Sequence, residues 1–238
     1  MPEKESSVKL YFSQSHNLLN SLVLVLPLLI LYQVGLLLVG AEGLNGVDFV
    51  SIILVKAADG PLGLVIFNFV LLALLFAGAY HLRKKEKFDT GFFAPMVAES
   101  LVYALFMGAF IVFVIRHTVP MTQGEPDPGK LGWLTKVTIS LGAGVYEELL
   151  FRLCLVSLTA YAFARWVKAR KAVSIAAAFL ISSLLFSLAH YAGGQVEAYG
   201  FFYRFLAGLI FAAIYRFRSF AIAVYTHVFY DVFVLFSR

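Results

Sequence analysis

The chain has 238 residues, of which 61% are hydrophobic and only 14% charged, with a formal net charge of +5. Soluble domains carry about 25% charged residues, so the composition excludes an ordinary soluble domain and a disordered acidic or basic tail. The excess of positive charge is no nucleic-acid signal, because the basic residues gather at the ends of apolar segments, where they set membrane topology.

Seven apolar stretches approach the ~20 residues that a helix needs to cross a bilayer. In chain order they are Leu18–Val39, Leu62–Leu82, Val97–Ile115, Leu134–Phe163, Val173–His190, Phe201–Tyr215 and Phe220–Phe236. The expected fold is therefore all-α, a polytopic bundle of about seven spans forming one integral membrane domain over 1–238, with its motif-bearing core in 134–236. The N-terminal region shows no small-residue cleavage site after its first apolar run, so Leu18–Val39 reads as a retained span rather than a cleaved signal peptide. The fourth stretch is too long for its task. From Lys136 to Arg165 a continuous helix would run about 43 Å at ~1.5 Å per residue, against a hydrocarbon core of about 30 Å, so it must tilt, break or protrude.

Twelve basic residues fall on one side of this arrangement: Lys4, Lys9, Arg83, Lys84, Lys85, Lys87, Arg165, Lys168, Arg170, Lys171, Arg216 and Arg218. Six fall on the other: Lys56, Arg116, Lys130, Lys136, Arg204 and Arg238. The positive-inside rule then sets the N-terminus in the cytoplasm and the C-terminus outside. Between spans, Val47–Ala58 has apolar residues at helical spacing and is expected to lie in the interface. Thr122–Gly129 is rich in turn residues. His16, His81 and His117 lie at span ends and read as interfacial. Cys154, the one cysteine, reads as a buried small hydrophobe.

The polar residues inside the apolar stretches carry the chemistry. Glu147 and Glu148 are adjacent within Gly142-Ala143-Gly144-Val145-Tyr146-Glu147-Glu148-Leu149-Leu150-Phe151-Arg152. A carboxylate in a bilayer costs roughly 2.5–3.5 kcal/mol on insertion scales. Arg152 is four residues beyond Glu148, on the same helical face, and can neutralise it. Glu147 points about 100° away and has no local partner. Phe186 and His190 are also four apart, as are His227 and Asp231. Intramembrane ionisable residues normally face the bundle interior and mark function. A carboxylate shielded from bulk water is a good proton acceptor, which suits Glu147 to activating water. An imidazole can share that water or protonate a leaving amine. His227 can donate to a developing oxyanion, and Asp231 either orients His227 or, if protonated, donates itself. Glu148 and Arg152 read as structural, Phe186 as packing beneath His190, and Gly142 and Gly144 as sites of close helix approach.

Glu-Glu-x-x-x-Arg, Phe-x-x-x-His and His-x-x-x-Asp, in this order on late hydrophobic segments, resemble the CAAX prenyl endopeptidase and CPBP (abortive-infection) family of intramembrane glutamate-type proteases. The resemblance covers roughly Gly142–Asp231. It implies that Glu147 and His190 activate the water and that His227 and Asp231 form the oxyanion site. The prenyl-endopeptidase branch typically has asparagine where this chain has Asp231. The implied partners are the lipid bilayer and a protein or peptide tail carrying a membrane anchor, with no nucleic acid. The implied location is a multi-pass position in a prokaryotic cytoplasmic membrane. No cofactor is expected. Two histidines and two carboxylates can hold a divalent ion, but the helix-borne His-Glu-x-x-His pair is missing. Two other readings use the same residues: a non-proteolytic scaffold of the bacteriocin-immunity kind, and a proton-coupled carrier using a Glu–His–Asp relay.

Overall fold

The computed structural model describes residues 7–40, 62–84, 88–116, 131–191 and 195–237, and the described chain is helical without strands. Val47–Ala58 and Thr122–Gly129 lie outside the described residues, as do Lys4, Lys56, Lys85, Lys87, His117, Lys130 and Arg238. A short helix α1 (Ser7–Ser15) leads into α2 (Leu18–Val39). Asn17 caps α2 by accepting from the Asn20 N–H at 3.1 Å, and Gly40 ends it at φ 64°, a left-handed angle that favours glycine. Then come α3 (Leu62–Arg83) and α4 (Phe93–Arg116), the latter entered through a 3₁₀ turn at Thr90–Phe92. The fourth apolar stretch is α5 (Trp133–Glu147), a π-helical segment (Glu148–Val156) and α6 (Ser157–Arg165). The last helices are α7 (Lys171–Ala189), α8 (Ala198–Phe217) and α9 (Phe220–Phe236).

All seven expected stretches are helical, and among the described residues five helices are long and apolar enough to cross a membrane by length and composition. These five are Leu18–Val39, Ile66–Arg83, Thr90–Val114, Lys171–Ala189 and Ala198–Phe217. The other two differ for physical reasons. The fourth stretch breaks its α-helical ladder at Glu148, within the charged run from Glu147 to Arg152. α9 has 17 residues, and it forms the centre of the bundle. It packs against α2, α4, α5, α8 and the π-helical segment, and Phe220–Val224 and Thr226–Val228 are buried.

Apolar residues face outward as well as inward. Leu37, Phe69, Phe106 and Phe113 are all exposed, as expected where lipid, not water, covers the outer surface. Cys154 is exposed too, against the expectation of burial. It lies two residues beyond Arg152, which points inward, so its side chain turns to the outer face of the helix.

One end of the bundle is tied by a polar clamp. Arg218, in the turn between α8 and α9, grips the Glu99 carboxylate through Nε and through Nη2 at 2.7 Å. Tyr11 donates to the same carboxylate, and the Arg218 guanidinium lies 4.1 Å from the centre of the Phe12 ring. Burial, followed by the Glu99 carboxylate, pushes the Tyr11 hydroxyl above its ordinary range, so it stays a donor. Nearby, Asn20 donates to the Gln14 backbone and side chain and accepts from the Asp89 N–H. The clamp therefore brings α1, the start of α2, the start of α4 and the α8–α9 turn to one end.

Candidate active site

The motif residues meet where α5 gives way to the π-helical segment, against the middle of α9. Close approach there depends on Gly144. A Cβ at this position would overlap Val228 Cγ2 and come within 3.0 Å of Val228 N and 3.1 Å of Val224 O. Gly142 plays the same part towards α2, because a Cβ there would overlap the Tyr32 ring. Glycine at 144 lets the backbones of α5 and α9 come near enough for short acidic side chains to reach across, while glycine at 142 lets α5 approach α2.

His227 lies between the two glutamates. Its Nδ1 is 2.8 Å from Glu148 Oε1. A carboxylate accepts, so Nδ1–H donates. Its Nε2 faces Glu147 Oε2 and Asp231 Oδ2, each at 3.6 Å. The imidazole stacks on Phe211, with centroids 4.3 Å apart and planes 18° apart. Glu147, Glu148 and His227 are buried, whereas the Asp231 side chain keeps 22% of its surface exposed. Two adjacent residues thus reach opposite nitrogens of one ring, and Glu147 has an interhelical partner where the sequence offers no local one.

Arg152 lies beneath this ring. It is fully buried, and its Nη1 is 3.1 Å from Glu148 Oε1, the ion pair expected from the spacing. Nη2 donates to the Gly208 carbonyl at 3.4 Å. The guanidinium sits over Phe186 at 4.4 Å and beside Phe211 at 5.3 Å, where the ring faces offer it further electrostatic stabilisation. Glu148 is consequently more than a partner for Arg152. It joins the arginine to the imidazole and fixes which ring nitrogen carries hydrogen, a task the sequence reading gave to Asp231.

π-Helical segments recur at functional sites because they insert a residue and re-aim side chains. Here Ser182 of α7 donates to the Phe151 carbonyl at 2.7 Å, which supplies a partner within the irregular ladder. The Phe151 and Phe186 rings meet edge to face at 5.3 Å.

His190, at the end of α7, packs against the Phe186 ring rather than directly on His227. It is half-buried, and its Nδ1–H donates to the Phe186 carbonyl at 2.8 Å. That bond leaves Nε2 of the neutral ring as the acceptor. The Phe186 ring lies 5.0 Å from His190 and 6.1 Å from His227, so Phe186 packs between the two histidines as well as under the first. The stacked Phe211 has no motif spacing to announce it.

Among the described residues, no group of three or more His, Cys, Asp or Glu side chains is arranged to hold a metal ion. Glu148 Oε1 and His227 Nδ1 are committed to each other.

Residues 129–233 match the family model described as type II CAAX prenyl endopeptidase Rce1-like. No curated protein and no solved structure matches the chain. The matched segment runs from just before α5 to near the end of α9 and contains all three motifs in order. An all-helical bundle with several apolar helices long enough to cross a membrane makes this chain an integral, multi-pass membrane protein, and the match over residues 129–233 marks it as a CAAX-protease-like endopeptidase.

Proposed function

We propose that the chain hydrolyses a peptide bond in a membrane-anchored or lipidated protein tail, using water activated by Glu147 and His190. The observation that carries this reading is the ring of Glu147, Glu148 and Asp231 around His227, buried inside the bundle with Arg152 below. Glu147 takes a proton from the water as hydroxide adds to the carbonyl carbon, and His190 Nε2 holds the water in line. The oxyanion accepts from His227 Nε2–H. Because Nδ1–H is already committed to Glu148, this donation needs the imidazolium. With His227 charged, three carboxylates face two cations, and one shared proton makes the cluster neutral. That proton on Asp231 would let it act as a second donor. On collapse of the tetrahedral intermediate, the proton held by Glu147 passes to the leaving amine.

Access favours the end away from the polar clamp. The first half of α9 is buried, Asp231 is half-exposed, and Phe233 and Phe236 beyond it are exposed. With positive-inside orientation, this is the outer side of a prokaryotic cytoplasmic membrane. The substrate would then be a tail presented at the outer leaflet.

The test uses purified protein in lipid and a pool of anchored peptides. Glu147→Gln and His227→Ala should each abolish cleavage while leaving the helical content and monodispersity of wild type. Wild-type turnover by either variant would remove this mechanism.

A further inference from the structure

His190 lies just beyond α7, whose last residue is Ala189. A helix end frays unless something outside its own ladder fixes it. Here the backbone tightens first. The His190 N–H reaches the Ser187 carbonyl at 3.3 Å, and the Tyr191 N–H reaches the Leu188 carbonyl at 3.0 Å. These bonds span three residues, as in a 3₁₀ turn, and they bring the α-helical ladder to its close.

Tyr191 supplies the next hold. Its hydroxyl donates to the Glu197 carbonyl at 3.1 Å and accepts from Arg204 Nη1 at 3.2 Å. The Arg204 guanidinium also lies 5.5 Å from the centre of the Tyr191 ring, a distance at which the ring face attracts a cation. The Glu197 carbonyl accepts from the Phe201 N–H as well, at 2.9 Å, so both of its lone pairs are used. Gly200 shapes the seat. A Cβ there would come within 2.6 Å of the Tyr191 hydroxyl and 2.7 Å of Arg204 Nη1, so glycine leaves room for this pair against α8. Before His190 on α7, Ser187 Oγ donates to the Phe201 carbonyl at 2.8 Å. The first turn of α8 therefore grips the end of α7 through its carbonyls, on both sides of His190 in the chain.

The imidazole is framed accordingly. The Phe186 ring packs against it at 5.0 Å, and the Phe186 carbonyl accepts from its Nδ1–H at 2.8 Å. A ring contact tolerates sliding, whereas hydrogen bonds are directional. The directional bonds at the residue after His190 are those of the Tyr191 hydroxyl.

We propose that Tyr191, seated on Gly200 by Arg204 and the Glu197 carbonyl, is a positioning residue that sets the reach of His190 towards the water. This role rests on the proteolytic reading, in which His190 Nε2 holds that water. Tyr191 acts through the backbone of its neighbour and not on the peptide. Misplacing a group that orients a reactant by about 1 Å can cost about 10²-fold in rate, so a loosened turn acts on kcat and spares KM.

The experiment uses the full chain in lipid nanodiscs, its histidine ring nitrogens labelled with 15N, and a pool of anchored peptides. The His190 signals are identified by their loss in His190→Asn. Tyr191→Phe keeps the ring and removes only the hydroxyl. It should lower kcat by about 10- to 100-fold with KM within about twofold of wild type. It should also move the His190 signals as the Nδ1–H bond to the Phe186 carbonyl loosens. Gly200→Ala should do the same, and the double variant should lose no more than the worse single variant, because both changes act on one contact. Wild-type kcat in Tyr191→Phe overturns the proposal. So does a fall in kcat with the His190 signals unmoved, or a loss carried by KM alone. If wild type cleaves no peptide while Tyr191→Phe still moves the His190 signals, the anchoring of His190 stands and the protease reading falls. If the signals stay still as well, both fall.

Discussion

Glu148 Oε1 is shared by His227 Nδ1 at 2.8 Å and Arg152 Nη1 at 3.1 Å. One buried oxygen thus joins the arginine that neutralises the site to the imidazole at its centre. Removing that carboxylate leaves Arg152 charged in an apolar interior, a change that typically costs about 3–5 kcal/mol. Glu148→Ala should therefore lower the midpoint of thermal unfolding in detergent by many degrees, whereas Glu147→Gln should leave it near wild type. Equal midpoints for the two variants would count against the structural role assigned to Glu148.

Gly144 sets the distance across which these groups meet. Gly144→Ala should force α5 away from α9 and remove at least 90% of peptide cleavage. Val228→Ala, made in the same chain, takes away the overlapping methyl but not the contacts to Val228 N and Val224 O. The double variant should recover part of the activity, and failure of any recovery would point to a cause other than this contact.

Phe186 separates two histidines and covers the Arg152 guanidinium. Phe186→Leu keeps much of the volume, so its effect on stability should stay below about 1.5 kcal/mol. It loses the ring face and the edge contacts, and kcat should fall more than tenfold. An activity loss no larger than the stability change would explain would reduce Phe186 to packing.

The clamp at the other end makes a prediction independent of chemistry. Glu99 holds Arg218 and Tyr11 together, so Glu99→Ala should release α1 from the bundle. Hydrogen exchange at Ser7–Ser15 should accelerate at least tenfold, with exchange in α7 unchanged. Uniform acceleration throughout the chain would indicate global destabilisation instead.

Much of this arrangement can be read along the chain because the bilayer imposes simple rules. Apolar runs bounded by basic residues locate the helices, and the i,i+4 rule brings Glu148 to Arg152, as observed. The limits of that reading are equally physical. Cys154 looks buried by composition, yet lipid accepts apolar side chains on the outside as readily as protein does inside, so hydropathy cannot tell which face points inward.

Within one helix, periodicity governs neighbours three and four residues apart, and this was enough to fix the identity and order of the ionisable set and the all-helical class. Which carboxylate holds His227 and how Phe186 and Phe211 frame it depend on contacts between helices. Those contacts are set by the glycine approach of α5 to α9 and by the π-helical register after Glu147. Only the packed bundle decides them, because the pairing of side chains on different helices depends on depth and rotation that no local spacing encodes.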